Sequence, residues 1–123
     1  MTWTSEDLQT FGDADELQIA SARADGTLRP YVIIWAVRVG DELYLRSAHG
    51  PTNGWYRRAL ASGTGRIRAG GLERDATFTE AAADVHDAID AAYHAKYDHY
   101  DSSIVDPVTG ALSRTATIRV VPR

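Results

Sequence analysis

The sequence has no cysteine, which excludes disulfide staples, thiolate nucleophiles and cysteine-ligated metal sites. It also lacks any apolar run of about 18 residues, the length a membrane-spanning helix needs. The opening Thr2-Trp3-Thr4-Ser5-Glu6-Asp7 has neither the basic nor the apolar stretch of an export signal. A cytoplasmic address and no membrane partner are therefore expected. Positive charge is short as well: the net charge is −4 and the pI about 5.4, so the whole-molecule field repels a polyphosphate backbone and no nucleic-acid partner is expected. A Gly-x-Ser-x-Gly nucleophile elbow, a Walker loop and a Gly-x-Gly-x-x-Gly turn are all missing. What is present is a chain of 123 residues, enough for one domain that buries roughly two-thirds of its unfolded surface.

The patterning is mostly that of β-structure. Thr4 and Asp7 ahead of Leu8, Phe11 and Gly12 predict one or two turns of helix within residues 1–13. Period-two alternation predicts strands over Glu16–Arg23 and Glu42–Ser47, and Asp25-Gly26 and Gly40-Asp41 supply tight turns. Between them, Thr27–Val39 is apolar on both faces, with Tyr31, Ile33, Trp35 and Val37 on one and Val32, Ile34 and Ala36 on the other, so it must be covered on two sides. Asn53 caps a helix through Ser62 that Gly63 ends. Arg66–Ala69 and Leu72–Thr79 form a hairpin about Gly70-Gly71. Three- and four-residue spacing predicts a helix over Glu80–Tyr97, followed by a polar turn around Asp106-Pro107 and Gly110 and a last strand over Arg114–Val121. Six antiparallel strands on short connections curl into a small barrel carrying a few helices, a mainly β fold.

The strongest local case for chemistry is Arg46–Arg58, where a loop of small residues feeds a helix start. Free N–H groups and the positive dipole end attract an anion there, and Arg46, Arg57 or Arg58 adds charge; a capped helix with solvated arginines is the plain alternative. Trp35, Trp55, Tyr31 and Tyr56 offer flat surfaces to a planar ring, although such aromatics also build cores and interfaces. Arg66 and Arg68 share one strand face, and Arg29 precedes a proline; a solvated or ion-paired face is the usual reading of such arginines, and binding of a substrate carboxylate or a cofactor tail is the functional alternative. His86, Asp90 and His94 fall at four-residue steps, but nothing fixes a further ligand, and no metal is expected.

Leu28-Arg29-Pro30-Tyr31, then Gly40–Ser47, His49-Gly50, Trp55-Tyr56, Gly65–Gly71 and Thr117–Pro122 occur in an order that resembles the split-barrel superfamily. That superfamily is pyridoxamine-phosphate-oxidase-like and deazaflavin-dependent-nitroreductase-like, and it binds FMN or deazaflavin. Within it the chain is similar to a bacterial family classed as a domain of unknown function. The resemblance implies a homodimeric six-stranded split barrel with FMN or deazaflavin in the groove between subunits and two-electron chemistry on a small organic molecule. A cofactor carrier without turnover, or a structural dimer with a filled groove, are the alternatives. It places the ring along Pro30, Tyr31, Val32 and Ile33. The phosphate falls near Arg46, Ser47, His49, Gly50 and the helix start at Gly54, Trp55, Tyr56 and Arg57. His49 stands where the deazaflavin reductases carry lysine, and Ser62-Gly63-Thr64 where they carry Asn-Pro.

Overall fold

The computed structural model describes residues 2–123. Among these residues seven strands form one antiparallel sheet: β1 (Leu17–Ser21), β2 (Val32–Ile34), β3 (Ala36–Val39), β4 (Glu42–Arg46), β5 (Thr64–Ala69), β6 (Leu72–Glu80) and β7 (Thr117–Pro122). Their order across the sheet is β2-β1-β5-β6-β7-β4-β3. The two edge strands are chain neighbours with only Trp35 between them, so the backbone itself joins the edges and the sheet becomes a barrel. The six expected ribbons are therefore present, with the second split in two. Its first half pairs with β1, Ile34 opposite Leu17, and its second half with β4, Ala36 opposite Leu45. The break lets one twisted ribbon leave one neighbour and join another.

Alternation along the strands aims Leu17, Ile19, Leu43, Leu45, Ile118 and Val120 into the barrel. Two helices plug its ends. In α1 (Ser5–Asp13) the Thr4 hydroxyl accepts from the Asp7 N–H, and Leu8 and Phe11 point inward. The second, α2 (Gly54–Ser62), brings Trp55, Tyr56 and Ala59. Gly63, at φ 73°, turns α2 directly into the start of β5, whereas Thr10 of α1 lies beside Gly70, just past the other end of β5. Within β5, a Cβ on Gly65 would stand 2.1 Å from the Ala20 carbonyl oxygen, so the close approach of β1 admits only glycine.

A second layer lies outside the wall. It comprises α3 (His86–Tyr97), introduced by a 3₁₀ turn at Ala83–Val85, then α4 (Ser102–Thr109) and α5 (Ala111–Arg114). The helix starts later than its spacing suggests because β6 keeps pairing through Glu80, opposite Ile118. The expected polar turn at Asp106-Pro107 is instead helical. Asp101 caps α4 through the Ser103 N–H at 2.9 Å, and Pro107 falls in the last turn, where it forfeits one i→i−4 bond and the helix ends two residues later. Because Ala111–Arg114 is also helical, the last strand begins at Thr117.

The outer core packs Ile89, Tyr93, Tyr97, Val105 and Val108 against Val37 and Tyr44 of the wall. Trp35 stacks on Tyr97 with ring centroids 4.0 Å apart and planes 4° from parallel. At Trp35 and Val37 the outer apolar face of the second ribbon is thus covered by the chain's own α3; Ile33 stays 57% exposed. α3 also supplies donors at the break. The Tyr93 hydroxyl donates to the Trp35 carbonyl at 3.0 Å, and Lys96 Nζ and the Tyr97 hydroxyl donate to that of Ala36 at 2.7 and 3.3 Å. Among the described residues no helix is long and apolar enough to cross a membrane.

Candidate functional site

Where the barrel closes, a cavity of about 460 Å³ opens between β2, the start of α2 and α4. Trp35 and Trp55 give it aromatic surface, Val32 and Val108 aliphatic surface, and His49 and Asn53 polar groups. Asn53 occupies the N-cap of α2, yet its side chain makes no cap bond. Trp55 is almost buried and held edge-on against Tyr56, with ring centroids 6.2 Å apart at 90°. Among the described residues, two of the three large exposed apolar side chains, Ile33 and Ile104, lie on this cavity at 57% and 51% exposure. An apolar slot of this size with few polar groups has the makeup of a small-molecule site.

Val32 and Trp55 also border a second, polar cavity of about 250 Å³, which shares Arg23, Arg29 and Arg58 with an adjoining one of about 750 Å³ reaching Arg57. None of these four arginines has a carboxylate within 4.0 Å among the described residues. The first cavity is walled mainly by apolar and aromatic side chains, and the other two by arginines.

Arg46, expected at a phosphate, is engaged within the chain. Its side chain is wholly buried and every N–H is spent. Nε donates to Thr117 Oγ1 at 3.1 Å, Nη1 to the Asp90 carboxylate and to the Val108 carbonyl at 2.9 Å, and Nη2 to His86 Nδ1 and the His86 carbonyl at 3.2 and 3.3 Å. A guanidinium has five donors, so none remains for a ligand. Burial pushes the Asp90 carboxyl up, but hydrogen bonds from Arg46 and Arg114 outweigh it and hold the group below its ordinary value. Burial, then the charges of Arg46 and Arg114, lower His86, so its imidazole is neutral near pH 7 and accepts at Nδ1. Arg46 touches the apolar cavity only as part of its wall.

The other expected residues divide. Val32, Ile33, His49 and Trp55 line the apolar cavity, while Pro30 and Arg57 fall on the arginine side of Trp55. Tyr31 points elsewhere, with its hydroxyl 3.3 Å from Glu73 and its ring 3.7 Å from the Arg68 guanidinium. Ser47 is fully buried, with Oγ bonded to nothing in the chain. Gly50 turns at φ 81° beneath Leu112, and Tyr56 is buried with its hydroxyl on the Thr115 carbonyl at 3.3 Å. Tyr31, Ser47, Gly50 and Tyr56 therefore line none of these three cavities. Trp35, expected as a flat surface, lines the cavity, and the wall residues not expected at all are Ile34, Ala48, Asn53, Ile104 and Val108. The last two could be found only by recognising α4, whose Ile104, Val105 and Val108 recur at helical spacing. Among the described residues no group of three or more histidines and carboxylates is placed to hold a metal; His86 is turned to Arg46 and His94 to Asp98 at 2.7 Å.

The chain belongs to DUF2255, a family of uncharacterized proteins conserved in bacteria whose pattern matches residues 7–120. Among curated proteins nothing matches. Solved structures share the fold at low identity. The conserved hypothetical protein Rv2991 of Mycobacterium tuberculosis aligns with TM-score 0.67 and 12% identity over 100% of this chain and 82% of its own. An F420 reductase aligns at 0.58 and 16% over 100% and 94%. A FAD-binding protein of Mesorhizobium loti aligns at 0.57 and 18% over 100% and 92%.

Proposed function

We propose that the chain is a flavin-type binding barrel that acts as a homodimer in the cytoplasm and exchanges two electrons with a small organic molecule. The observation that carries this reading is the apolar cavity itself, with Trp35 and Trp55 on its walls and Val32 and Ile33 of β2 beside them. Neighbours in fold are named for F420 reduction and FAD binding, which fits a planar tricyclic ring at this place. When bound, such a group supplies the hydride chemistry.

The chain's own contribution is orientation. Trp55, braced by Tyr56, and Val32 would flank the ring, while His49 and Asn53 would meet its polar edge. The helix start at Gly54 and the Arg57 guanidinium would serve a phosphate, without Arg46. Ile33 and Ile104, apolar and exposed on the cavity, are suited to burial by a second copy, which would also exclude water from the ring.

Thermal unfolding and tryptophan fluorescence with riboflavin, FMN, FAD and a deazaflavin test the reading. At a hundredfold excess over Kd, a bound ring stabilises the fold by about 2.7 kcal/mol. Trp55→Ala should weaken its binding about tenfold or more. No shift with any of the four at large excess sinks the proposal. Gel filtration checks the dimer, and an acceptor panel with a reductant separates an oxidoreductase from a carrier.

A further inference from the structure

The chain has twelve arginines. Seven of them hold a carboxylate within 4.0 Å: Arg38, Arg46, Arg66, Arg68, Arg74, Arg114 and Arg119. Of the remaining five, four converge on the connected cavities across Trp55 from the apolar slot. This concentration occurs in a protein of net charge −4, with seventeen acidic residues available as partners. The charge of Arg23 reaches the Asp25 carboxyl, but among the described residues no carboxylate lies within 4.0 Å of any of the four, and like charges gathered this way repel one another.

Arg29 is half-buried, while Arg23, Arg57 and Arg58 stand exposed around it. Arg29 Nε is buried and hydrogen-bonds nothing in the chain, which leaves a desolvated cationic donor unsatisfied. The Arg58 guanidinium folds back over the first turn of α2, with Nη1 2.7 Å from the point a Cβ on Gly54 would occupy; the glycine leaves that space open. Arg23 is steadied by donating to the Leu28 carbonyl at 2.8 Å across the β1–β2 turn. Ser21, Ser62 and Thr64 add hydroxyls to the walls.

We infer that Arg23, Arg29, Arg57 and Arg58 form a binding site for a multiply charged oxyanion, an oligophosphate or polycarboxylate group. It lies on the β1–β2 turn and the flank of α2, away from the end of β4, where Arg46 is already spent. Planar guanidiniums bind such oxygens in pairs of parallel hydrogen bonds, so four of them match two or more separate anionic groups better than one. Since Val32 and Trp55 wall both cavities, the anion is either the arm of the molecule whose ring enters the apolar slot or a free anion beside it. The site stands on its own geometry and does not require the ring.

Inorganic tripolyphosphate is the probe, titrated by calorimetry and thermal shift at low ionic strength, with acetate at matched ionic strength as control. Tripolyphosphate should raise Tm and acetate should not. Arg29→Gln and Arg58→Gln should each weaken tripolyphosphate about tenfold or more, and added salt should weaken it further. Both substitutions remove an unpaired cation and so should leave the apo fold intact; if either fails to fold, the exposed Arg57→Gln takes its place. Binding of FAD tighter than riboflavin, with the difference lost in the double variant that combines Arg29→Gln and Arg58→Gln, identifies the anion as the ring-bearing ligand's arm. Tripolyphosphate binding with no such difference identifies a free anion. Either result supports the site, and the second can hold even where riboflavin fails and the ring reading falls. No tripolyphosphate shift in the wild type, or an equal affinity in the double variant, overturns the inference.

Discussion

Arg46 and the group around Arg29 carry the same side chain and behave oppositely. Arg46 is sealed between the barrel wall and the outer helices, with all five donors satisfied by Thr117, Asp90, Val108 and His86. Arg23, Arg29, Arg57 and Arg58 stand around open cavities with no acidic partner among the described residues. A buried cation whose hydrogen bonds close within the chain belongs to the fold. A set of cations left unpaired where partners are plentiful belongs to a ligand. Sequence position does not distinguish them, since Arg46 and Arg57 flank the same loop.

The contrast breaks most sharply at Arg46. Arg46→Met should cost about 3–5 kcal/mol in urea unfolding, because Asp90 keeps only its bond to Arg114 and His86 and Val108 lose a donor. A loss below about 1 kcal/mol would show that the network does not anchor α3 and α4.

Acid should find the same network. His86 sits below its ordinary value of 6.5, so as pH falls through that value the unfolded chain takes up a proton the folded chain resists, and stability drops. A second loss follows below the ordinary carboxylate range, when Asp90 accepts its proton. His86→Asn keeps an acceptor toward Arg46 and removes the titration, so its Tm should be flat where the wild type begins to fall.

Lys96 sharpens the comparison from the alkaline side. Burial lowers its ammonium to about 8, so the folded chain pays for that charge at neutral pH. The cost is relieved as pH rises from about 8 toward the ordinary 10.5. Tyr93 and Tyr97, both raised by burial, act in the opposite sense above pH 10. The difference in Tm between wild type and Lys96→Met isolates the lysine, and it should shrink across that window.

The smallest expected effect lies at the open arginines. Arg29→Gln and Arg58→Gln should shift apo stability by no more than about 0.5 kcal/mol, with relief of repulsion favouring a gain. A loss comparable to that of Arg46→Met would show that these side chains too serve the fold.

Strand periodicity, turn glycines and the helix caps at Thr4 and Gly63 were enough to draw the barrel from the residues, because alternation and positive-φ glycines are local signals. The outer layer was legible only in part. Asp106-Pro107 reads as a turn unless Asp101 is recognised as a cap and proline's place near a helix end is discounted. The site was half legible for a related reason. Val32 and Ile33 sit on one strand, His49 in the loop after β4 and Trp55 at a helix start, whereas Ile104 and Val108 come from α4 and Arg23 and Arg29 from a turn folded back toward α2. Whether an arginine is spent depends on tertiary partners: Asp90 is forty-four residues from Arg46, a distance no local pattern spans.

One residue, Trp35, is both the hem of the cylinder and a surface of its slot. The strands on either side belong to the opposite ends of the sheet, so a molecule resting on the indole touches the single peptide stretch that keeps the tube shut. Gripping that ring fastens the tube; wrenching it pulls on both rims at once. Loading of the slot should therefore be reported far around the circumference, by slower amide exchange in β1 and β4 alike.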